Sequence, residues 1–245
     1  MMSKSEDRES FQTTHWSMIL LARDQDDSHR RGAMHELCRR YWFPLYAFAR
    51  RRGYESHQAQ DLIQAFFLRL LEKDVLSKAD RDRGRFRNFL LASLKNFLAN
   101  EAVKASSLRR GGQHSFVSLD FRDAEGRLTH EAVDQLTPDA EYHRQWALQV
   151  LQRSLERLGD EFAAEGKSDL FDALRTYLAV DSERLPYAET AEKLDLSTDA
   201  VKVAVHRLRR RYRRGLEAEI ADTIASPDDI DEEIQELFRA VRGVP

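Results

Sequence analysis

The sequence has little of what interrupts helices and of what builds disulfide or metal sites. Its 245 residues include only 10 glycines and 5 prolines, and segments rich in Leu, Ala, Arg and Glu prevail. This composition predicts an all-α fold. The single cysteine, Cys38, excludes an internal disulfide and any CxxC zinc or redox site. Because Cys38 lies on a helical apolar pattern, we expect a buried and unreactive thiol.

Signals for membrane insertion and for catalysis are equally scarce. No apolar run approaches the roughly 18 residues of a membrane span, and no apolar segment follows a basic start as in a signal peptide. We therefore expect a cytoplasmic protein with no membrane partner. No nucleophile–base set and no cluster of metal ligands stands out, so we expect no enzyme, no cofactor, no metal and no small-molecule substrate.

Positive charge is scarce on average but concentrated in one segment. The formal net charge is −3, yet residues 202–214 contain no acid. Seven bases lie there: Lys202, Arg207, Arg209, Arg210, Arg211, Arg213 and Arg214. The acids are concentrated after residue 216, in a tail whose apolar residues recur at near-helical spacing. This asymmetry is typical of a chain that binds a polyanion.

The basic segment follows the pattern of a helix-turn-helix. A first helix is predicted from Tyr187 to Leu194, and Ser197 is placed to cap a second one. On that second helix the apolar residues Val201, Val205 and Leu208 recur on one face. A basic stripe follows one position later, beginning at Lys202. An apolar back and a cationic front are typical of a helix that enters a DNA major groove. A solvated basic helix without a ligand is the alternative interpretation.

The first half of the chain predicts a compact aromatic-rich helical module. Apolar faces recur in residues 33–52, 56–73 and 86–105, the last with Arg87, Lys95 and Asn96 directed outward. Helices over residues 145–158 and 170–178 are predicted to pack behind the helix-turn-helix, with Trp146 among their core residues.

These segments resemble extracytoplasmic-function (ECF) sigma factors of bacterial RNA polymerase. RYWFPLYAFAR, AQDLIQAFFLRL and RFRNFLLASLKNFL resemble region 2 of that family, and AETAEKLDLSTDAVKVAVHRLRRR resembles region 4. Both occur in the family's order, with an intervening stretch poor in apolar residues. The resemblance implies a dissociable subunit that recognises promoter DNA and promotes strand opening, with core RNA polymerase as its partner.

The resemblance also implies site residues. Contacts with the β′ clamp helices of the polymerase are expected from Asp61, Gln64 and Arg69, and the β flap is a second polymerase contact in the family. The unpaired minus-ten strand is expected at Arg85, Arg87, Lys95 and Asn96, where cations and a base pocket are needed. The minus-thirty-five element is expected at Ser197, Thr198, Asp199, Lys202, Val203, His206, Arg207 and Arg210. Whether an anti-sigma protein or the acidic tail restrains activity stays open.

The expected organisation has five parts. Residues 1–25 are an N-terminal extension with a short helix around Trp16, and residues 26–106 are the region 2-like domain. Residues 107–140 are a flexible linker, residues 141–216 the region 4-like domain, and residues 217–245 an acidic extension with short amphipathic helices that dock on the body.

Two other functions account for part of these features. A helix-turn-helix regulator that acts without being a polymerase subunit explains the second half but gives no purpose to the aromatic module. A helical protein-binding adaptor predicts weak DNA binding that is insensitive to salt, whereas phosphate contacts make affinity fall with salt.

Overall fold

The fold consists of helices connected by turns and short 3₁₀ segments. A computed structural model describes residues 27–72, 75–79, 84–107, 124–125, 128, 136–178, 186–221, 223–224 and 226–243. These residues form eight α-helices and no strand, which confirms the all-α prediction. The helices are α1 (Asp27–Arg51), α2 (Ser56–Glu72), α3 (Phe86–Ser107), α4 (Pro138–Ala164), α5 (Ser168–Leu174), α6 (Tyr187–Lys193), α7 (Thr198–Ala221) and α8 (Ile230–Arg242). The predicted helix around Trp16 and most of the predicted linker lie outside the described residues.

The apolar side chains bury themselves in two clusters. The first is centred on α1, α2 and α3, where aromatic rings such as Tyr41 and Phe86 meet edge to face with centroids 5.5 Å apart. The second lies behind the helix-turn-helix and contains Leu174, Val201 and Leu208, all of them fully buried. Aromatic side chains dominate the first cluster because each buries a large apolar area in a defined geometry.

Helix α4 belongs to both clusters. It has 27 residues, so it is about 40 Å long. Thr137 caps it, since its side chain accepts a hydrogen bond from the amide of Ala140 at 3.2 Å. Its first half carries Trp146 into the first cluster, while Leu158 and Phe162 enter the second. The prediction that Trp146 packs behind the helix-turn-helix is therefore wrong. Periodicity identified an apolar face but not the neighbour that this face contacts.

The acidic end of the chain is part of the first cluster. Helix α7 continues without a break to Ala221, so the predicted domain boundary at residue 216 lies inside a helix. Leu216 and Ile220 are buried, and α8 adds Ile234 and Leu237 from its apolar face. The prediction that the tail forms an amphipathic helix docked on the body is confirmed for α8.

The burial of Cys38 and the hydropathy of the helices were both predicted from the sequence. Cys38 is buried, and burial raises the pKa of its thiol to about 12, so the thiol stays protonated at neutral pH. None of the described helices is long and apolar enough to cross a membrane.

The second cluster can be tested by removing one of its side chains. Because Leu208 is 0% exposed, we expect Leu208→Ala to lower the free energy of unfolding by about 2–5 kcal/mol. Val203 lies on the same helix and is 50% exposed, so Val203→Ala should change it by less than about 0.5 kcal/mol. Urea denaturation followed by circular dichroism measures both. Equal losses would mean that α7 is rotated about its axis so that Val203 is buried as well.

Candidate nucleic-acid interface

The turn between α6 and α7 has the local geometry that its sequence requires. Asp195 adopts a left-handed backbone conformation with φ of 52°, which Asp tolerates better than most residues. The amide of Leu196 donates to the carbonyl of Ala191 at 2.9 Å and closes the turn. The hydroxyl of Ser197 accepts from the amide of Ala200 at 3.1 Å, so the predicted N-cap is confirmed.

Aromatic packing holds α6 against the segment that precedes it. The rings of Tyr177 and Tyr187 stack with centroids 5.1 Å apart and an angle of 4° between their planes. The hydroxyls of Tyr177 and Thr190 share a buried hydrogen bond of 2.8 Å. On α7, Val201 and Val205 are completely buried. These contacts fix the rotation of α7 and therefore decide which of its side chains face outward.

The face of α7 that points outward is the one predicted to bind DNA. All the residues predicted for the minus-thirty-five element are exposed: Ser197, Thr198, Asp199, Lys202, Val203, His206, Arg207 and Arg210. Val203 is one of the few large apolar side chains that are exposed among the described residues. An exposed apolar group among polar and cationic neighbours matches a groove that offers both hydrogen-bonding edges and thymine methyl groups.

The arginines of α7 divide into two groups. Some contact the protein: Arg209 donates to the carbonyl of Tyr177 at 3.2 Å, and the guanidinium of Arg211 lies 4.3 Å from the centre of the Phe162 ring. Arg211 also pairs with Glu161 and Glu165, and Arg213 with Glu217 and Asp231. Within the described part of the chain, Arg207, Arg210 and Arg214 form no ion pair. Their spacing places these three cations on one side of the helix, available to phosphates.

The second predicted DNA surface differs from the expectation. Asn96 is exposed and Lys95 is partly exposed, with its ammonium group paired to the carboxylate of Asp139. Arg85 is largely covered, and Arg87 is only 3% exposed. The prediction that Arg87 faces outward is wrong: in this arrangement it cannot reach nucleic acid.

Two helices, α4 and α8, cover Arg87. Its guanidinium lies 4.3 Å from the centre of the Trp146 ring, and the hydroxyl of Tyr142 donates to its carbonyl at 3.0 Å. From α8, Glu233 forms an ion pair with it and Glu236 accepts a hydrogen bond at 2.9 Å. Burial lowers the pKa of Arg87 to about 10, so the group is still charged at neutral pH. The two glutamates that flank the apolar residues of α8 were the only sequence signal of this site.

The residues predicted for polymerase contact lie on α2. Asp61 is exposed, while Gln64 and Arg69 are half-buried. The guanidinium of Arg69 lies 5.7 Å from the centre of the Phe97 ring, so this group packs on α3. Asp61 is thus the member of this set that is best placed to meet another molecule.

Comparison with models of protein families, with curated proteins and with solved structures finds no match to this chain. In the described part of the chain, no group of three or more His, Cys, Asp or Glu side chains is arranged to hold a metal ion.

A direct test of the α7 face compares two lysines. Lys202→Ala should weaken binding to a preferred duplex by roughly 1–3 kcal/mol, because an exposed lysine at this position can contact a base edge. Lys104→Ala removes the same charge from an exposed site on α3 and should leave affinity unchanged. Fluorescence anisotropy with a labelled duplex measures both. Equal effects would show that only the net charge matters.

Phosphate contact can be tested separately by the dependence on salt. For Arg210→Ala we expect the slope of log affinity against log salt to decrease by about 1, because one phosphate contact is lost. The same anisotropy titrations, repeated over a series of salt concentrations, give this slope. A wild-type affinity that does not depend on salt would instead favour the adaptor function.

Proposed function

We propose that this chain is an ECF-type sigma factor: a dissociable subunit of bacterial RNA polymerase that recognises promoter DNA and promotes strand opening in the cytoplasm. The observation that carries the proposal is the exposed face of α7, where every residue predicted for the minus-thirty-five element is accessible. The same chain carries an aromatic helical module whose order relative to the helix-turn-helix is that of the family. The polymerase, not this chain, supplies the chemistry of RNA synthesis.

In the proposed complex, α7 lies in the major groove. The first turns of α7, from Thr198 to Lys202, approach the base edges, since a major groove admits an α-helix. Arg207, Arg210 and Arg214 follow along the helix and bind phosphates, which sets the register of the protein on the duplex. Val203 contributes an apolar contact with a thymine methyl group.

The module of α1, α2 and α3 is proposed to bind the polymerase and the opened strand. Asp61 and Gln64 contact the β′ clamp helices, while the helix-turn-helix domain meets the β flap. Asn96 and Lys95 on α3, with Arg85 just before it, are proposed to bind the unpaired minus-ten strand. The two modules are proposed to be domains joined through residues 107–140. These domains separate when the polymerase binds.

A helix-turn-helix regulator that binds duplex DNA without polymerase is the second candidate. One observation favours it: Arg87 is buried and Arg85 and Lys95 are paired with acids, so this end of α3 offers little free positive charge. Such a regulator would use α7 alone, and the aromatic module would serve only as support.

Run-off transcription with purified core polymerase on a randomised promoter library tests the proposal. We expect transcripts to depend on this chain and to share two promoter elements, because two surfaces read DNA. Asp61→Ala should reduce co-purification with core polymerase while duplex affinity stays unchanged, and Lys202→Ala should do the reverse. Duplex binding without any polymerase-dependent transcript would establish the regulator instead.

A further inference from the structure

The amino-terminal end of α3 is neutralised by a matching set of acids from α8. The Nε atom of Arg85 lies 2.7 Å from Oε2 of Glu233, and Nη2 of Arg87 lies 2.9 Å from Oε2 of Glu236. Arg85 also pairs with Glu236, and Arg87 with Glu233. Each cation therefore faces both carboxylates. Two carboxylates held by a pair of guanidinium groups occupy the kind of position that nucleic-acid phosphates take on arginine.

The four groups differ in how far they are removed from solvent. Glu233 is 0% exposed and Arg87 nearly so, whereas the side chains of Arg85 and Glu236 retain part of their exposure. Burial of ion pairs is a poor source of stability, because the lost hydration offsets most of the attraction. Apolar side chains in place of these four groups would stabilise the contact of α8 about as well. The presence of buried charges here therefore needs a reason other than stability.

The cover also includes polar groups that are poorly satisfied. On the first half of α4, the buried atoms without a hydrogen-bond partner among the described residues include Oε2 of Glu141, Nδ1 of His143 and Nε1 of Trp146. A buried polar atom without a partner costs free energy that water would restore on exposure. Hydration of these atoms would therefore offset part of the free energy needed to uncover Tyr142 and Trp146, which are buried in the same contact.

We propose that α8 is an internal competitor for nucleic acid: Glu233 and Glu236 occupy the arginines that bind the phosphates of a single strand when α8 and the first half of α4 move away. This inference rests on the proposed function, since it concerns regulation of the minus-ten surface. Arg87 then has two roles, an ion pair inside the closed protein and a phosphate contact in the open one.

Removing the whole tail would not test this idea. Leu216, Ile220 and Ile224 lie in the first cluster, so a truncation at residue 216 would damage the core together with the acids. Single isosteric substitutions in the full chain avoid this, because Glu→Gln removes the charge and keeps the shape.

The test compares Glu236→Gln with Glu232→Gln. Both residues lie on α8 and lose one negative charge, but Glu232 is exposed and Glu236 contacts the arginines. Fluorescence anisotropy with a short single-stranded DNA oligonucleotide should show about tenfold tighter binding for Glu236→Gln, the factor that corresponds to about 1.4 kcal/mol. The affinity of Glu232→Gln should equal that of the wild type.

A double-substitution cycle identifies the partner. In the Arg85→Ala background, Glu236→Gln should increase affinity by a clearly smaller factor, because one of the two phosphate contacts that it releases is gone and only that of Arg87 remains. Glu233→Gln is measured in parallel with its circular dichroism spectrum. If this fully buried substitution prevents folding, Glu236→Gln still decides the question.

Three results would overturn the inference. Glu236→Gln could lower the melting temperature without raising oligonucleotide affinity, which would make the ion pairs a structural contact only. An equal gain for Glu232→Gln would show a general effect of charge. A gain of undiminished size in Arg85→Ala would place the binding elsewhere.

Polymerase co-purification and transcription with the same variants separate this inference from the proposed function. Tighter oligonucleotide binding by Glu236→Gln without any polymerase association would support the competitor and reject the sigma factor. Polymerase-dependent transcription with no oligonucleotide gain would reject the competitor and leave the sigma factor.

Discussion

The buried guanidinium of Arg87 is the interaction on which the arrangement of the helices depends. Helix α3 supplies the charge, α4 supplies the ring of Trp146 that lies against it, and α8 supplies the carboxylate of Glu233. A charge removed from water is tolerated only with close partners. Arg87 therefore connects three helices that are far apart in the sequence. The acidic end of the chain is thus part of the protein core and not an appendage to it.

The helix-turn-helix, in contrast, is held in place by apolar contacts and not by a buried charge. Its apolar contacts fix the rotation of α7 so that Lys202, Arg207 and Arg210 stay exposed. On that face, Arg207 and Arg210 form no ion pair with the described residues, while Arg209 and Arg211 are used to hold the helix in place. On the proposed function, Arg207 and Arg210 are available to DNA without any rearrangement. Arg85 and Arg87, at the start of α3, would first have to lose their acidic partners.

The difference between these two surfaces also explains which of them could be predicted from the sequence. The helix-turn-helix depends on short-range signals: a Ser197 cap, a turn at Asp195 and an apolar spacing from Val201 onward. All of them were found where expected. The surroundings of Arg87 depend on residues that approach from distant parts of the chain. Periodicity assigned Arg87 to the polar side of α3, but it carried no information that Trp146 and Glu233 would cover that side. For the same reason, periodicity did not show that Trp146 packs in the first cluster.

The shared helix α4 limits which insertions and deletions the chain can accept during evolution. Because one unbroken helix enters both hydrophobic clusters, an insertion or deletion of a single residue within it would turn one cluster by about 100° relative to the other. Only changes close to whole turns, such as seven residues, would preserve both sets of contacts. We therefore expect the length of α4 to vary far less in evolution than the length of the segment that precedes it.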